Sequence, residues 1–305
     1  MSELQLTFLR DVMASFLVIS SISCLAVGKI GLWPVGHVAF LGSGGIYAAL
    51  TQIMPPVPAA CGAFVLALAW AALVSFGAAW LEGDQFVISS LASGYAAFAI
   101  AVAVFGQGVR DLPGSGSAEG RQLVIGVFFV ICLSFSFWLW ALDRSRTGTM
   151  LRIFRDRPEV LAVAGFSLRG ARFWVHFMAA VPPIIGGLLL VTYQCSYSAN
   201  LHSPARGILL FAIAFPFGLN TVAGGWLAAL SLVTLSRLFD FILASEGLRM
   251  MVFRLEVTLG SRGLMQTVDG LGAPLTEVCL GLLLILFIRL RPQGLLGTET
   301  RWTRG

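Results

Sequence analysis

The sequence predicts an all-α protein, a polytopic bundle of transmembrane helices, and three observations predict it. Hydrophobic residues make up 57% of the 305 and charged residues only 11%, where a soluble domain carries about 25% charged. Mean hydropathy is +0.87. Apolar stretches near the roughly 20 residues that a bilayer-crossing helix requires recur along the chain, separated by short Gly, Pro or charged breaks. Backbone groups in hydrocarbon must bond within the segment, which implies helices for runs of this kind. The chain reads as one transmembrane domain over 1–305, with no room for a separate soluble domain.

In chain order, spans are expected at about 11–30, 35–54, 59–80, 86–107, 122–142, 173–193, 207–219, 224–243 and 273–290, a count of about nine within eight to ten. The first has a weak basic flank and no convincing small-residue cleavage site, so it reads as a retained span. The apolar region 207–244 is too long for one crossing and is cut by Asn220 and Gly224-Gly225. A hairpin of two helices, the first one short, is expected there.

One long, strongly charged interruption stands out, RSRTGTMLRIFRDRPEVLAVAGFSLRGAR at 144–172, with seven arginines against Asp156 and Glu159. Pro158 suits a first helical turn, where its missing N–H costs nothing, and Gly165 suits a stop. Glu159 to Ala164 would then be a small-faced helix able to approach another protein closely. Arg152, Arg155, Arg157 and Arg169 would supply charge for acidic groups on that protein or for anionic lipid. The plainer reading is an ordinary positive-inside loop touching only headgroups.

Positive charge fixes orientation. The 144–172 loop and the tail with Arg289, Arg291, Arg301 and Arg304 are expected inside, and the near-balanced loops 108–121 and 244–272 outside. That parity leaves the N-terminus outside. The net charge of +5 comes from nineteen arginines and one lysine concentrated at helix ends, a topology signal rather than a nucleic-acid footprint.

Several chemistries are disfavoured. The cysteines at 24, 61, 132, 195 and 279 have no metal-ligand or disulfide spacing. No Gly-x-x-x-x-Gly-Lys-Ser/Thr motif is present, so ATP phosphates are not cradled in that manner and no cofactor is expected on this chain. His37, Ser43 and His176 lie in membrane segments, but no Gly-x-Ser-x-Gly or His-Glu-x-x-His motif accompanies them, so an enzyme is not expected.

Polar groups inside spans are costly, which makes them candidates for a pathway. His37 opens a Gly-rich stretch with Gly42 and Gly44, and unwound backbone or a helix N-terminus can hold a carboxylate without a side-chain charge. A structural histidine is the competing reading. Tyr47 would line a pathway or pack. Asn220 and Gly224 mark the break in 207–243 and would serve either turn chemistry or substrate contact. Arg237 and Asp240, three apart on one helix face, are expected to neutralise each other. Glu277 would pair with an arginine of the outer loop or reach water.

The run Gly31-Leu-Trp-Pro-Val-Gly36-His37-Val-Ala-Phe40-Leu-Gly42-Ser-Gly44-Gly-Ile-Tyr47 resembles a signature of the branched-chain amino-acid ABC transporter permeases. Two further matches follow in order: the Arg144–Arg152 opening that closes on Ala164-Gly165-Phe166, and Arg291-Pro292-Gln293-Gly294-Leu295-Leu296-Gly297. The turn Leu81-Glu82-Gly83-Asp84 matches loosely. The resemblance covers nearly the whole chain and points to the LivM-type inner-membrane subunit. Departures fall at Pro113–Ser117, at Asp156-Arg157-Pro158 and at Ala162, where the family carries other residues.

The resemblance implies a permease subunit of a binding-protein-dependent importer in a bacterial inner membrane. Its partners would be a homologous second permease, two cytoplasmic ATPases that use ATP-Mg, and a periplasmic solute-binding protein. Substrates would be branched-chain or other amino acids, with urea, amides or aromatic acids behind them. In this family a short cytoplasmic helix couples permease to ATPase, which the resemblance places on Arg152, Arg155, Arg157, Pro158, Glu159, Ala162 and Gly165. The alternative is an ion-gradient-driven secondary carrier of small polar solutes, since such carriers also use broken helices.

Overall fold

The computed structural model describes residues 2–81, 83–106, 108–245, 250–251, 272–290 and 295–296. Every named element among them is helical. They are α1 (Glu3–Ile30), α2 (Val35–Leu50), α3 (Pro56–Trp80), α4 (Gly83–Phe105), α5 (Ala118–Arg144), α6 (Arg146–Asp156), α7 (Pro158–Val163), α8 (Leu168–Gln194), α9 (Pro204–Phe217), α10 (Val222–Leu243) and α11 (Gly272–Leu290), with a short 3₁₀ turn at Ala199–His202. Six of these, α1, α3, α4, α5, α8 and α10, are long and apolar enough to cross a bilayer.

Among the described residues six helices, against an expected count of about nine, have membrane-crossing length. The expected span 35–54 becomes α2, whose first eight residues are a 3₁₀-helix and whose last eight are α-helical. The region 207–219 becomes α9, of 14 residues. Hydropathy registers apolar residues and is blind to how the backbone is wound.

Hydroxyl caps start the helices. Ser2 and Gln5 form a reciprocal capping box on α1. Ser117, Ser145, Ser167 and Thr221 each accept an N–H three residues on, and that residue is Gly120, Gly148, Gly170 or Gly224. Gly148 is required, since a Cβ there would lie 1.9 Å from the Leu142 carbonyl oxygen.

The axis of the bundle is α1. It begins at Glu3, well before the expected start at residue 11, and is buried from Val12 to Ile30, packed against α5, α8 and α10. Phe16 stacks on Trp226 with ring centroids 3.9 Å apart, and the Trp226 indole N–H donates to Ser136 Oγ at 3.1 Å. Gly225 lets α10 approach, because a Cβ there would sit 2.2 Å from Ser20 Oγ. By contrast α3, α4 and α5 keep most of their apolar surface uncovered, as helices facing lipid or another subunit do.

Two irregularities interrupt this frame. Residues 21–27 of α1 are wound as a π-helix, a rare geometry that often marks a functional position. In α8, Pro182 and Pro183 lie in the helix interior. Pro183 cannot supply the N–H that the Ala179 carbonyl would otherwise accept.

The α9–α10 break falls at 218–221, earlier than Gly224-Gly225. Gly218 has φ 103° and Asn220 φ 67°, the left-handed region that Gly and Asn tolerate best. Gly224 and Gly225 lie inside α10 and serve its start and its packing.

Candidate coupling site and polar interior

Arg144 to Arg172 folds into two helices joined at Arg157, which caps the end of α6 and precedes the start of α7. Pro158 is the first residue of α7, where no hydrogen bond is lost. The helix ends in a Schellman turn: Phe166 N–H bonds the Leu161 carbonyl at 3.0 Å, and Gly165 N–H bonds that of Ala162 at 3.0 Å. That turn needs a left-handed residue, and Gly165 has φ 82°.

In α7 only Leu161 is buried, joining the core beneath Phe154 and Val175. Glu159 and Ala162 are exposed, as are Val160, Val163 and Phe166, with Val163 at 91%. A short apolar knob thus stands at the end of the bundle with Arg157 exposed beside it.

Arg152 and Arg155, expected to offer charge to another protein, turn inward instead. Arg155 Nη1 donates to the Gly28 carbonyl at 2.9 Å and its Nε to Asp156 Oδ1 at 2.9 Å. Arg152 Nη2 donates to the Asp143 carbonyl at 2.8 Å. Arg169 lies over the Trp80 ring at 3.9 Å. The physical reason is that α6 packs against the last turns of α1 and α5, whose free carbonyls attract the guanidinium donors of Arg155 and Arg152.

Beneath α6 lies a charged junction that sequence reasoning missed. Lys29, the only lysine of the chain, is 1% exposed. Its ammonium pairs with Asp143 at the end of α5 and donates to Asn220 Oδ1 at 3.2 Å. Asn220 N–H in turn donates to the Ser23 carbonyl, inside the π-helical segment, at 3.2 Å. Gly28 makes this possible, since a Cβ there would lie 2.6 Å from Asn220 Oδ1. Leu295 and Leu296 donate to the carbonyls of Pro216 and Phe217 beside the same break. The rest of the expected tail signature, Arg291–Gly294 and Gly297, lies outside the described residues.

The remaining pathway candidates sit along α2 and are occupied by packing. His37 is buried, and its Nε2–H donates to the Ala179 carbonyl at 2.8 Å, the acceptor that Pro183 strands. A carbonyl only accepts, so the proton is on Nε2. His176, edge-on to His37 with centroids 5.6 Å apart, is held by Ser75 at 2.9 Å. Ser43 Oγ donates to the Ile184 carbonyl at 2.7 Å.

Gly44 meets α8 closely, because a Cβ there would lie 2.4 Å from Val191, and Gly42 faces His202 at 3.4 Å. Tyr47 is buried, and its hydroxyl donates to the Pro113 carbonyl at 2.9 Å, fastening the 113–117 segment that departs from the family pattern. His37, Ser43 and Gly44 tie α2 to α8, while Tyr47 ties it to the 113–117 segment.

The expected Arg237–Asp240 pair is replaced by a longer-range one. Arg237 Nη2 donates to Asp11 Oδ2 at 2.9 Å, while Asp240 is exposed. Glu277 is exposed too, and the loop arginines considered for it lie outside the described residues.

The family of branched-chain amino acid transport system permease components matches residues 10–288. The chain belongs to this family. No curated protein and no solved structure matches it. The matched region takes in the whole of the bundle from Arg10 on α1 to near the end of α11. The permease is thus a multi-pass membrane protein of amino-acid transport, a transport subunit rather than an enzyme.

Proposed function

We propose that this permease is the LivM-type subunit of an ABC importer of a bacterial inner membrane. It pairs with a homologous second permease, two cytoplasmic ATPases that use ATP-Mg, and a periplasmic solute-binding protein. It forms half of the pathway for branched-chain or other amino acids, with urea, amides and aromatic acids ranked behind. The observation that carries this reading is α7 with its closing turn: Val160, Val163 and Phe166 exposed above a buried Leu161, next to an α6 that Arg152 and Arg155 fasten to α5 and α1. Water-exposed apolar groups on a fixed knob suit insertion into a cleft on another protein. Glu159 and Arg157 on its rim give that insertion polar register.

Among the pathway candidates Asn220 alone stays in the proposal, because it lies at the break and faces the junction below it. His37, Gly42, Gly44, Tyr47 and Gly224 have packing duties that account for them.

The test is uptake of labelled leucine by vesicles containing this chain with its co-encoded subunits. Gly165→Glu forces a charged side chain into a left-handed turn and onto the knob. Uptake is expected to require ATP and to fall by about tenfold or more in this variant, with assembly in the membrane retained. Uptake that follows an ion gradient without any ATPase would replace the importer by the secondary carrier.

A further inference from the structure

The junction around Lys29 joins the three parts of the molecule that a coupled transporter would have to move together. Arg155 holds the carbonyl of Gly28, the residue next to Lys29, and Arg152 holds the carbonyl of Asp143, the residue with which Lys29 pairs. Helix α6 therefore grips both sides of one ion pair. From that pair the Lys29 ammonium reaches across to Asn220, in the four-residue break between α9 and α10.

The links differ in strength. Lys29 to Asp143 is an ion pair between a fully buried ammonium and a carboxylate that keeps some access to water. Lys29 to Asn220 is a bond to a neutral acceptor at 3.2 Å, and the other tie from Asn220 to α1, its N–H to Ser23, is also 3.2 Å long. Two opposite full charges attract more strongly than one charge and a neutral amide oxygen, so a displacement of α6 carries Lys29 with Asp143 and parts it from Asn220 first. The break lies outside both helices, with Gly218 at φ 103° and Asn220 at φ 67°, so a shift there does not require α9 or α10 to unwind.

We propose that Lys29, Asp143 and Asn220 form a latch through which movement of α6 and α7 reaches the α9–α10 break. Lys29 is a positioning residue: it transmits the displacement and releases Asn220. This rests on the reading of α7 as the coupling helix and adds the route by which its movement enters the bundle.

A static ion pair would need the same contacts, and paired substitutions separate the two roles. Removing one member of a buried pair strands a charge, whereas removing both is close to neutral for stability. Lys29→Met and Asp143→Asn are each expected to lower the thermal midpoint of the purified complex. The double variant is expected to regain that midpoint while uptake stays down by about tenfold and ATP hydrolysis continues, so that hydrolysis no longer drives transport. Recovery of uptake together with stability would overturn the latch.

Asn220→Asp probes the opposite direction. A carboxylate tolerates the left-handed backbone and binds the ammonium more tightly, so uptake is expected to slow by about fivefold with no loss of thermal midpoint. Unchanged uptake in this variant would also overturn the proposal. The importer reading fails separately, by absence of ATP-dependent uptake in the natural sequence, and takes the latch with it.

Discussion

Two charged clusters lie toward opposite ends of α1 and are assembled from similar parts to different effect. Near Ile30, Lys29 and Asp143 balance each other beside a neutral amide, and the ammonium is sealed from solvent. Toward Glu3, Asp11 receives Arg10 at 2.6 Å and Arg237 at 2.9 Å, while Arg10 also lies over the Tyr193 ring at 5.1 Å. Arg206, in the first turn of α9, is close enough to feel both Asp11 and Arg10. Three guanidinium groups thus surround one carboxylate, and Arg237, 37% exposed, opens the cluster to water. The first cluster fixes geometry because its ammonium is sealed and cannot exchange Asp143 or Asn220 for water. The second tolerates surplus charge because water and counterions share the load.

The largest expected effect tests how tightly the first cluster is closed. Gly28→Val places a branched side chain where a Cβ alone would lie 2.6 Å from both Asn220 Oδ1 and the Ser23 carbonyl. Neither neighbour can yield without breaking the link between the break and the π-helical turn. Overpacking of this kind costs about 1–3 kcal/mol, and the desolvated Lys29 would lose a partner as well. The thermal midpoint of the purified protein is expected to fall sharply and to remain low in molar salt. A variant that behaved as the natural sequence does would show that the junction is looser than its distances imply.

How much of this was legible in the sequence depends on how far the partners lie apart. Continuous apolar runs gave the long helices, because burial of backbone in hydrocarbon leaves little choice of structure. Pro158 and Gly165 gave the limits of α7 through local backbone rules that need no tertiary knowledge. Lys29 was illegible for the opposite reason. A lone lysine after an apolar run looks like a charge at a helix end, and its partners Asp143 and Asn220 are 114 and 191 residues away. Arg237 had an acid three residues on at the right spacing, yet Asp11, 226 residues away, is the one it binds. His37 stood out as a pathway candidate because its polarity was visible, whereas its acceptor, exposed by Pro183, belongs to another helix.

The second cluster gives an intermediate effect. Asp11→Asn removes the one carboxylate among Arg10, Arg206 and Arg237, leaving like charges in mutual range. Asp11 is 24% exposed, so water screens part of the repulsion and the loss is expected at about 1–2 kcal/mol. Here salt is the discriminating measurement. Where the Debye length shrinks to about 3 Å, near 1 M, most of the lost stability should return. A loss indifferent to salt would place this cluster with the closed one and remove the contrast.

The smallest effect is expected from Arg237→Gln, and its sign is the informative part. The substitution removes a bond to Asp11 worth at most about 1 kcal/mol for a pair this accessible, since the arginine is 37% exposed. It also removes one of three like charges, which relieves repulsion with Arg10 and Arg206 by a comparable amount. The two terms oppose each other, so the stability should stay within about 0.5 kcal/mol of the natural sequence, with little change in the thermal midpoint. Lys29→Met also deletes one cation from an ion pair, but no surplus charge is relieved there and a carboxylate is left without its ammonium. Equal losses for the two substitutions, measured in one buffer, would mean that charge balance does not distinguish the ends of α1. A clear gap between them would mean that it does.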